Sequence, residues 1–145
     1  MRFHSHSAAE TIRFGKKLGR KLRAGDVVTL SGELGSGKTT LVKGLAEGLG
    51  VPSDKEVSSP TFVLIHEYRG REKIYHLDWY RLKRVAGEDR FLAEECFQDS
   101  AVTLIEWPDR GRDLIPRKHW EIRLRHVSPK ERMLEVAVHG NDSRL

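Results

Sequence analysis

Gly32-Glu33-Leu34-Gly35-Ser36-Gly37-Lys38-Thr39 constrains this chain more than any other segment, because it fits the pattern G-x-x-x-x-G-K-[ST]. Val27-Val28-Thr29-Leu30-Ser31 precedes it, β-branched and apolar, the pattern of a strand buried on both faces. Thr40 to Leu49 follows, with Leu41, Leu45 and Leu49 at helical spacing, and Gly50-Val51-Pro52 stops that helix. Glycines at 32, 35 and 37 let backbone N–H groups converge on an anion without side-chain obstruction. The helix that follows directs its partly positive N-terminus at the same point. Lys38 supplies a full charge to the β- and γ-phosphates of a nucleotide, and the Thr39 hydroxyl can bind Mg²⁺. At ordinary residue frequencies a random chain of this length matches about once in two hundred. The strand before the loop and the helix after it sharpen the match.

The rest of the chain reads as an α/β fold with a mixed sheet. Ser7-Ala8-Ala9-Glu10 is a capping box leading into a helix with Phe14, Leu18 and Leu22 on one face, ended by Gly25-Asp26. Phe62 to Glu67 and Ile74 to Asp78 read as strands of a hairpin joined by Tyr68 to Lys73, so part of the sheet is antiparallel. Glu88 to Gln98 is a charged helix, and Ala101 to Ile105 is another apolar strand. His119 to His126 and Arg132 to Val138 alternate apolar and polar residues around Ser128-Pro129-Lys130, a final hairpin half exposed to water. At 145 residues the expectation is one domain, residues 1–145, with unstructured ends at 1–6 and 140–145.

Composition excludes several classes. No run approaches ~20 apolar residues, so no membrane-spanning helix is expected, and Met1 to Glu10 has no apolar run fit for a secretory signal. Cys96 is the only cysteine, which rules out an internal disulfide and suits a reducing cytoplasm. Acids around Cys96 raise its pKa and do not activate it. The net charge of +5 is uneven: residues 1–25 hold seven basic residues and one acid, 86–109 seven acids and one basic residue, and 110–132 eight basic residues and three acids. This pattern permits an RNA-contacting face and an acidic partner-facing surface, solvated faces are the favoured reading, and charge alone carries no nucleic-acid claim. His4 and His6 lie in the start expected to be unstructured, and His66, His76, His119, His126 and His139 lack close Cys or His partners at zinc-ligand spacing, so no metal site is expected among them.

Hydrolysis needs acids beside the loop to hold Mg²⁺ and to position water. Asp78 and Glu106 each end a strand and fit that place, whereas Asp26 lies at the opposite end of its strand. Ser59-Pro60-Thr61 reads as a switch-like loop whose threonine senses phosphate or Mg²⁺, or as a simple turn. Trp107 faces either the core or the nucleotide. The guanine-reading Asn-Lys-x-Asp pattern is missing, since the only asparagine is Asn141, so ATP is favoured over GTP.

Four motifs in this order, Gly32 to Thr40, Ser59-Pro60-Thr61-Phe62, His76-Leu77-Asp78-Trp79-Tyr80-Arg81-Leu82 and Ile105-Glu106-Trp107-Pro108, resemble the TsaE (YjeE) family over residues 7–126. The resemblance implies a P-loop NTPase fold and a slow Mg²⁺-dependent ATPase. It further implies work with TsaD and TsaB, which install threonylcarbamoyl on tRNAs reading codons that begin with A. By position it implies catalytic roles for Lys38, Asp78 and Glu106, with Mg²⁺ held by Thr39 and Glu106. Which acid holds the metal and which orders water stays open. It implies nucleotide contacts at Thr11, Lys38 and Thr39, to which the loop pattern adds Glu33, Leu34, Gly35, Ser36, Gly37 and Thr40, with Thr61 and Trp107 as further candidates read from the residues. Ser36 replaces a common alanine, Trp79 a usual leucine and Asp109 a frequent glutamate, and none of these removes a group the chemistry needs. Two rivals remain: a small-molecule or nucleotide kinase with Arg110, Arg112 and Arg117 as lid arginines, and a module that binds ATP without needing its hydrolysis.

Overall fold

A computed structural model describes residues 1–53, 57 and 64–144. In chain order the elements are β1 (Arg2–Ser5), α1 (Ala8–Gly19), β2 (Val27–Ser31), α2 (Lys38–Gly48), β3 (Ile65–Arg69), β4 (Lys73–Asp78), α3 (Gly87–Gln98), β5 (Ala101–Glu106), a 3₁₀ segment (Pro108–Leu114), β6 (His119–His126) and β7 (Arg132–His139). The strands form one sheet in the order β1-β7-β6-β2-β5-β4-β3. Its centre, β6-β2-β5-β4, is parallel. The pairs at both sides, β3–β4, β6–β7 and β7–β1, are antiparallel. This is the mixed α/β sheet flanked by helices that the sequence predicts.

Alternation along the central strands assigns the two faces. Val28 and Leu30 of β2, Val102 and Leu104 of β5 and Ile74 of β4 are buried with Leu18, Leu41 and Leu45 beneath α1 and α2. Val27, Leu77 and Ile105 point the other way, onto a second core with Trp79, Val85, Ala93 and Cys96 from α3 and its flanking loops. A strand covered on both sides has no polar alternation, which is why β2 and β5 read as continuous apolar runs. Burial pushes the Cys96 thiol up to about 11, with Glu95 and Asp99 adding to the effect.

α1 and α2 touch through glycines spaced four apart in each helix, Gly15 and Gly19 against Gly44 and Gly48. A Cβ on Gly44 or Gly48 would run into the carbonyl oxygen of Ile12 or Lys16, and one on Gly19 into that of Leu45. The helices approach backbone to backbone, with no side chain between them.

Two expectations change. The first residues are not unstructured: Arg2–Ser5 is an edge strand on β7, the Met1 ammonium donates to the Val136 carbonyl at 3.0 Å, and Phe3 stacks on Phe14 at 4.3 Å. At the other end, Arg144 pairs with Asp26 (2.6 Å) and with Asp142, tying that segment to the start of β2. The first helix stops at Gly19, earlier than expected, because Lys21 and Leu22 bond back to Leu18 and Gly19 in a tight final turn that still buries Leu22. The 3₁₀ segment was not expected, although a proline at its first position is a helix-start signal. Among the described residues no helix is long and apolar enough to cross a membrane. The predicted start of β3 at Phe62 lies outside the described residues.

Two outcomes follow. Helix propensity alone predicts that Gly48→Ala stabilises by ~1 kcal/mol. The backbone contact predicts a loss of about 1–3 kcal/mol instead, measurable by urea unfolding, and a stabilised variant would refute the packing argument. Cys96 should resist thiol reagents in the native protein up to strongly alkaline pH and react freely once unfolded.

Candidate functional site

The register of the parallel strands builds the site. Leu30 of β2 lies opposite Glu106 of β5, and Glu106 opposite Asp78 of β4. The two carboxylates therefore end neighbouring strands at the level where the glycine loop begins. Both belong to the alternating set that includes Ile74 and Leu104, so they lie on the face against which α2 packs. The loop then turns into α2 at Gly37, whose φ of 100° is open to glycine and costly for other residues. Gly32 meets a different limit: a Cβ there would lie 2.5 Å from Ser36 Oγ and 2.7 Å from the Leu124 carbonyl oxygen.

A cleft of about 370 Å³ opens at this point, lined by Leu34 to Thr40, Asp78, Tyr80, Glu106, Trp107 and Arg132. Lys38 is buried in it, donating to the Gly32 carbonyl and, at 3.1 Å, to that of Glu33. Its ammonium sits 4.5 Å from the centre of the Trp107 ring. Burial lowers the Lys38 pKa, and the charges of Glu106 and Asp78 draw it partly back up. Trp107 adopts a left-handed backbone (φ 59°) directly after Glu106, a strained conformation, with its ring close to both Lys38 and Tyr80.

The polar atoms fit an anion and a hard cation. Among the described residues α2 has no side-chain cap and no acid in its first turn, so its N-terminal amides meet no competing carboxylate there. Ser36 Oγ is buried and has no partner among the described residues. Asp78, Glu106 and the Thr39 hydroxyl form an all-oxygen set of the kind Mg²⁺ prefers.

His76, Arg132 and Tyr80 belong to the site as well, and the sequence reading did not select them. His76 Nε2 lies 2.6 Å from Glu106 Oε2 with both groups buried, so the imidazole and the carboxyl share one hydrogen bond. Its place two residues before Asp78 on one strand was a usable signal. Arg132 donates to the carbonyls of Ser36 (3.1 Å) and Gly35 (3.3 Å), and no local pattern announces a contact so distant in sequence.

The remaining expected residues divide. Thr11 lines an adjoining cleft of about 340 Å³ that shares Gly37, Thr40 and Arg132 with the first, while its hydroxyl bonds to Ser5 Oγ at 2.6 Å. The Glu33 side chain is exposed and does not line the cleft, and only its carbonyl takes part, through Lys38. Thr61, with Ser59 and Pro60, lies outside the described residues. Arg110 directs its guanidinium to the carbonyls of Tyr80 and Leu82, and Arg112 pairs with Asp109.

A family model described as threonylcarbamoyl adenosine biosynthesis protein TsaE matches residues 5–134. The chain belongs to the TsaE family. A relative from Treponema pallidum (strain Nichols), named tRNA threonylcarbamoyladenosine biosynthesis protein TsaE, is 42% identical over 137 residues, 94% of this chain and 100% of its own. The TsaE protein of Bacillus subtilis (strain 168) is 36% identical over 97% of this chain and 87% of its own. The crystal structure of YdiB from Bacillus subtilis superposes with a TM-score of 0.82 at 32% identity, covering 97% of this chain and 86% of that one. The TsaE fold thus agrees with the P-loop architecture expected from the glycine loop.

The His76–Glu106 contact should be energetically coupled. Glu106→Ala alone leaves a fully buried imidazole without its acceptor, whereas His76→Phe with Glu106→Ala removes both polar partners. Urea unfolding of the four proteins should give a coupling of about 1–3 kcal/mol. Additive losses would show that the contact contributes no net stability.

Proposed function

We propose that this chain binds and hydrolyses ATP with Mg²⁺, and that this activity serves threonylcarbamoyladenosine formation in tRNAs reading codons that begin with A, alongside TsaD and TsaB. The supporting observation is the convergence of the glycine loop, Lys38, Asp78 and Glu106 on one cleft. Membership of a family whose relatives are named for that pathway supplies the biological setting.

In this reading the loop amides and Lys38 hold the β- and γ-phosphates, replacing the Gly32 and Glu33 carbonyls as partners of the ammonium. The Thr39 hydroxyl and Glu106 hold Mg²⁺, which when bound offsets the charge that develops on the transferring phosphoryl group. His76 keeps the Glu106 carboxylate in one orientation. Asp78, on the neighbouring strand, orders the attacking water. Trp107 and Tyr80 wall the reacting end, and the adjoining cleft beside Thr11 takes the nucleoside. The kinase reading is less favoured, because none of its lid arginines, Arg110, Arg112 and Arg117, lines the cleft. Hydrolysis resets the TsaD–TsaB assembly between rounds and does not drive the carbamoyl transfer.

Lys38→Ala should abolish ATP binding by calorimetry in the presence of Mg²⁺. Asp78→Ala and Glu106→Gln should still bind but turn over about 10²-fold more slowly or worse. Unchanged turnover in both acid variants overturns the role assignment. Deleting the gene should remove threonylcarbamoyladenosine from tRNA hydrolysates, with rescue by the wild-type gene and not by Lys38→Ala. Unchanged levels overturn the pathway assignment.

A further inference from the structure

Among the described residues outside the cleft, one cluster of metal-ligating side chains stands apart. β1 pairs with β7 so that Ser5 lies opposite Arg132, which brings the preceding residue Glu131 beside the end of β1. His4 Nε2 lies 2.9 Å and His6 Nε2 3.9 Å from Glu131 Oε1, and the three ligand atoms all fall within 4.8 Å of one another. From the geometry of this cluster we propose that His4, His6 and Glu131 form a binding site for a divalent transition-metal ion of the Zn²⁺ class.

Three features support a ligand site over a chance meeting of exposed side chains. Two imidazoles and one carboxylate form the donor set that suits zinc and its neighbours and is poor for Mg²⁺ or Ca²⁺. The three ligand atoms already lie close together, and a tetrahedral ion with bonds of about 2.0–2.1 Å needs the stacked His4 and His6 rings, 4.3 Å between centroids, to turn so that both Nε2 lone pairs converge, which leaves a fourth position for water.

The surroundings also orient the ligands. His6 Nδ1 lies 3.1 Å from Glu10 Oε2, so an Nδ1–H donated to that carboxylate leaves the Nε2 lone pair on the side facing Glu131. Glu10 is itself held, since the same oxygen accepts from the His6 N–H at 2.7 Å and the Glu10 N–H donates to Ser7 Oγ in the helix cap. Glu131 Oε2 accepts from Ser128 Oγ at 2.7 Å, which leaves Oε1 for the imidazoles.

Sequence spacing conceals this site. Only the pairing of an N-terminal strand with a C-terminal one brings Glu131 to a His-x-His segment that the sequence places in an unstructured start.

The test is calorimetry of the full chain, free of any polyhistidine tag, titrated with Zn²⁺ near neutral pH, with thermal unfolding as a second readout. One equivalent should bind, raise the unfolding midpoint and be reversed by chelator, while Mg²⁺ does not compete. His6→Ala and Glu131→Gln should each weaken binding at least tenfold. Glu10→Gln, which leaves the three ligands in place, should weaken it about 10- to 100-fold. His139→Ala, in the separate stacked pair with His119, should change nothing. No saturable Zn²⁺ binding, or binding that survives both His6→Ala and Glu131→Gln, overturns the proposal. The nucleotide reading stands or falls separately, on Lys38.

Discussion

The register of three parallel strands decides where chemistry can happen in this molecule. β2 ends in a loop that must reverse into α2 within a few residues, and β5 and β4 end alongside it at Glu106 and Asp78. A shift of one residue in either pairing would send the acid to the opposite face, toward the core under α3. Because β2, β5 and β4 are covered on both faces, such a shift would also put a polar residue into an apolar layer. The same burial that stabilises the sheet therefore holds the carboxylates beside the loop.

A site built this way concentrates buried charge. Lys38, Asp78, Glu106 and His76 are all nearly inaccessible to water, a costly arrangement for an apolar core to accommodate. The cost is reduced by pairing each group. The ammonium meets two loop carbonyls and an indole face, Glu106 meets His76, and Asp78 accepts from the Tyr80 N–H at 2.9 Å. The carbonyl contacts of Lys38 are also those an anion would replace. Its depressed pKa expresses the same tension, since burial works against the charge until a counter-charge arrives. The glycine-lined crossing of α1 and α2 supplies the rigidity on the other side, with its backbone contact beginning close behind the loop.

Much of this was legible in the sequence, for identifiable reasons. The loop carries its mechanism in a local pattern, and β6 reads correctly from His119 to His126 because one face is wet and the other dry. Asp78 and Glu106 could be placed because each closes an apolar run. What escaped reading depends on pairing. β1 has four residues, two of them basic or imidazole-bearing, and it is a strand only because β7 receives it and Phe14 receives Phe3. Arg132 reaches loop carbonyls 96 and 97 positions away. The glycines at spacing four in α1 and α2 were visible but meant nothing until the two helices were known to cross. His76 was within reach of reasoning, since period-two alternation puts it on the face of Asp78.

The pairing that escaped reading also gives the loop a second support. On one side the loop rests against the acid-bearing strands. On the other, Arg132 grips its carbonyls from the first residue of β7, while also donating to the carbonyls of its own turn at Ser128 (3.0 Å) and Pro129 (3.2 Å). Glu131, one residue earlier, faces His4 of β1 and His6 just after it, and Glu10 ties His6 to the start of α1. A chain of direct contacts thus runs from the cap of α1 through β1 and the β6–β7 turn to the phosphate loop. Protonating an imidazole there, or binding a metal to it, changes charge one residue from the arginine that holds Gly35 and Ser36. The amino-terminal strand is therefore part of the apparatus that holds the loop, even though none of its residues lines the central cleft.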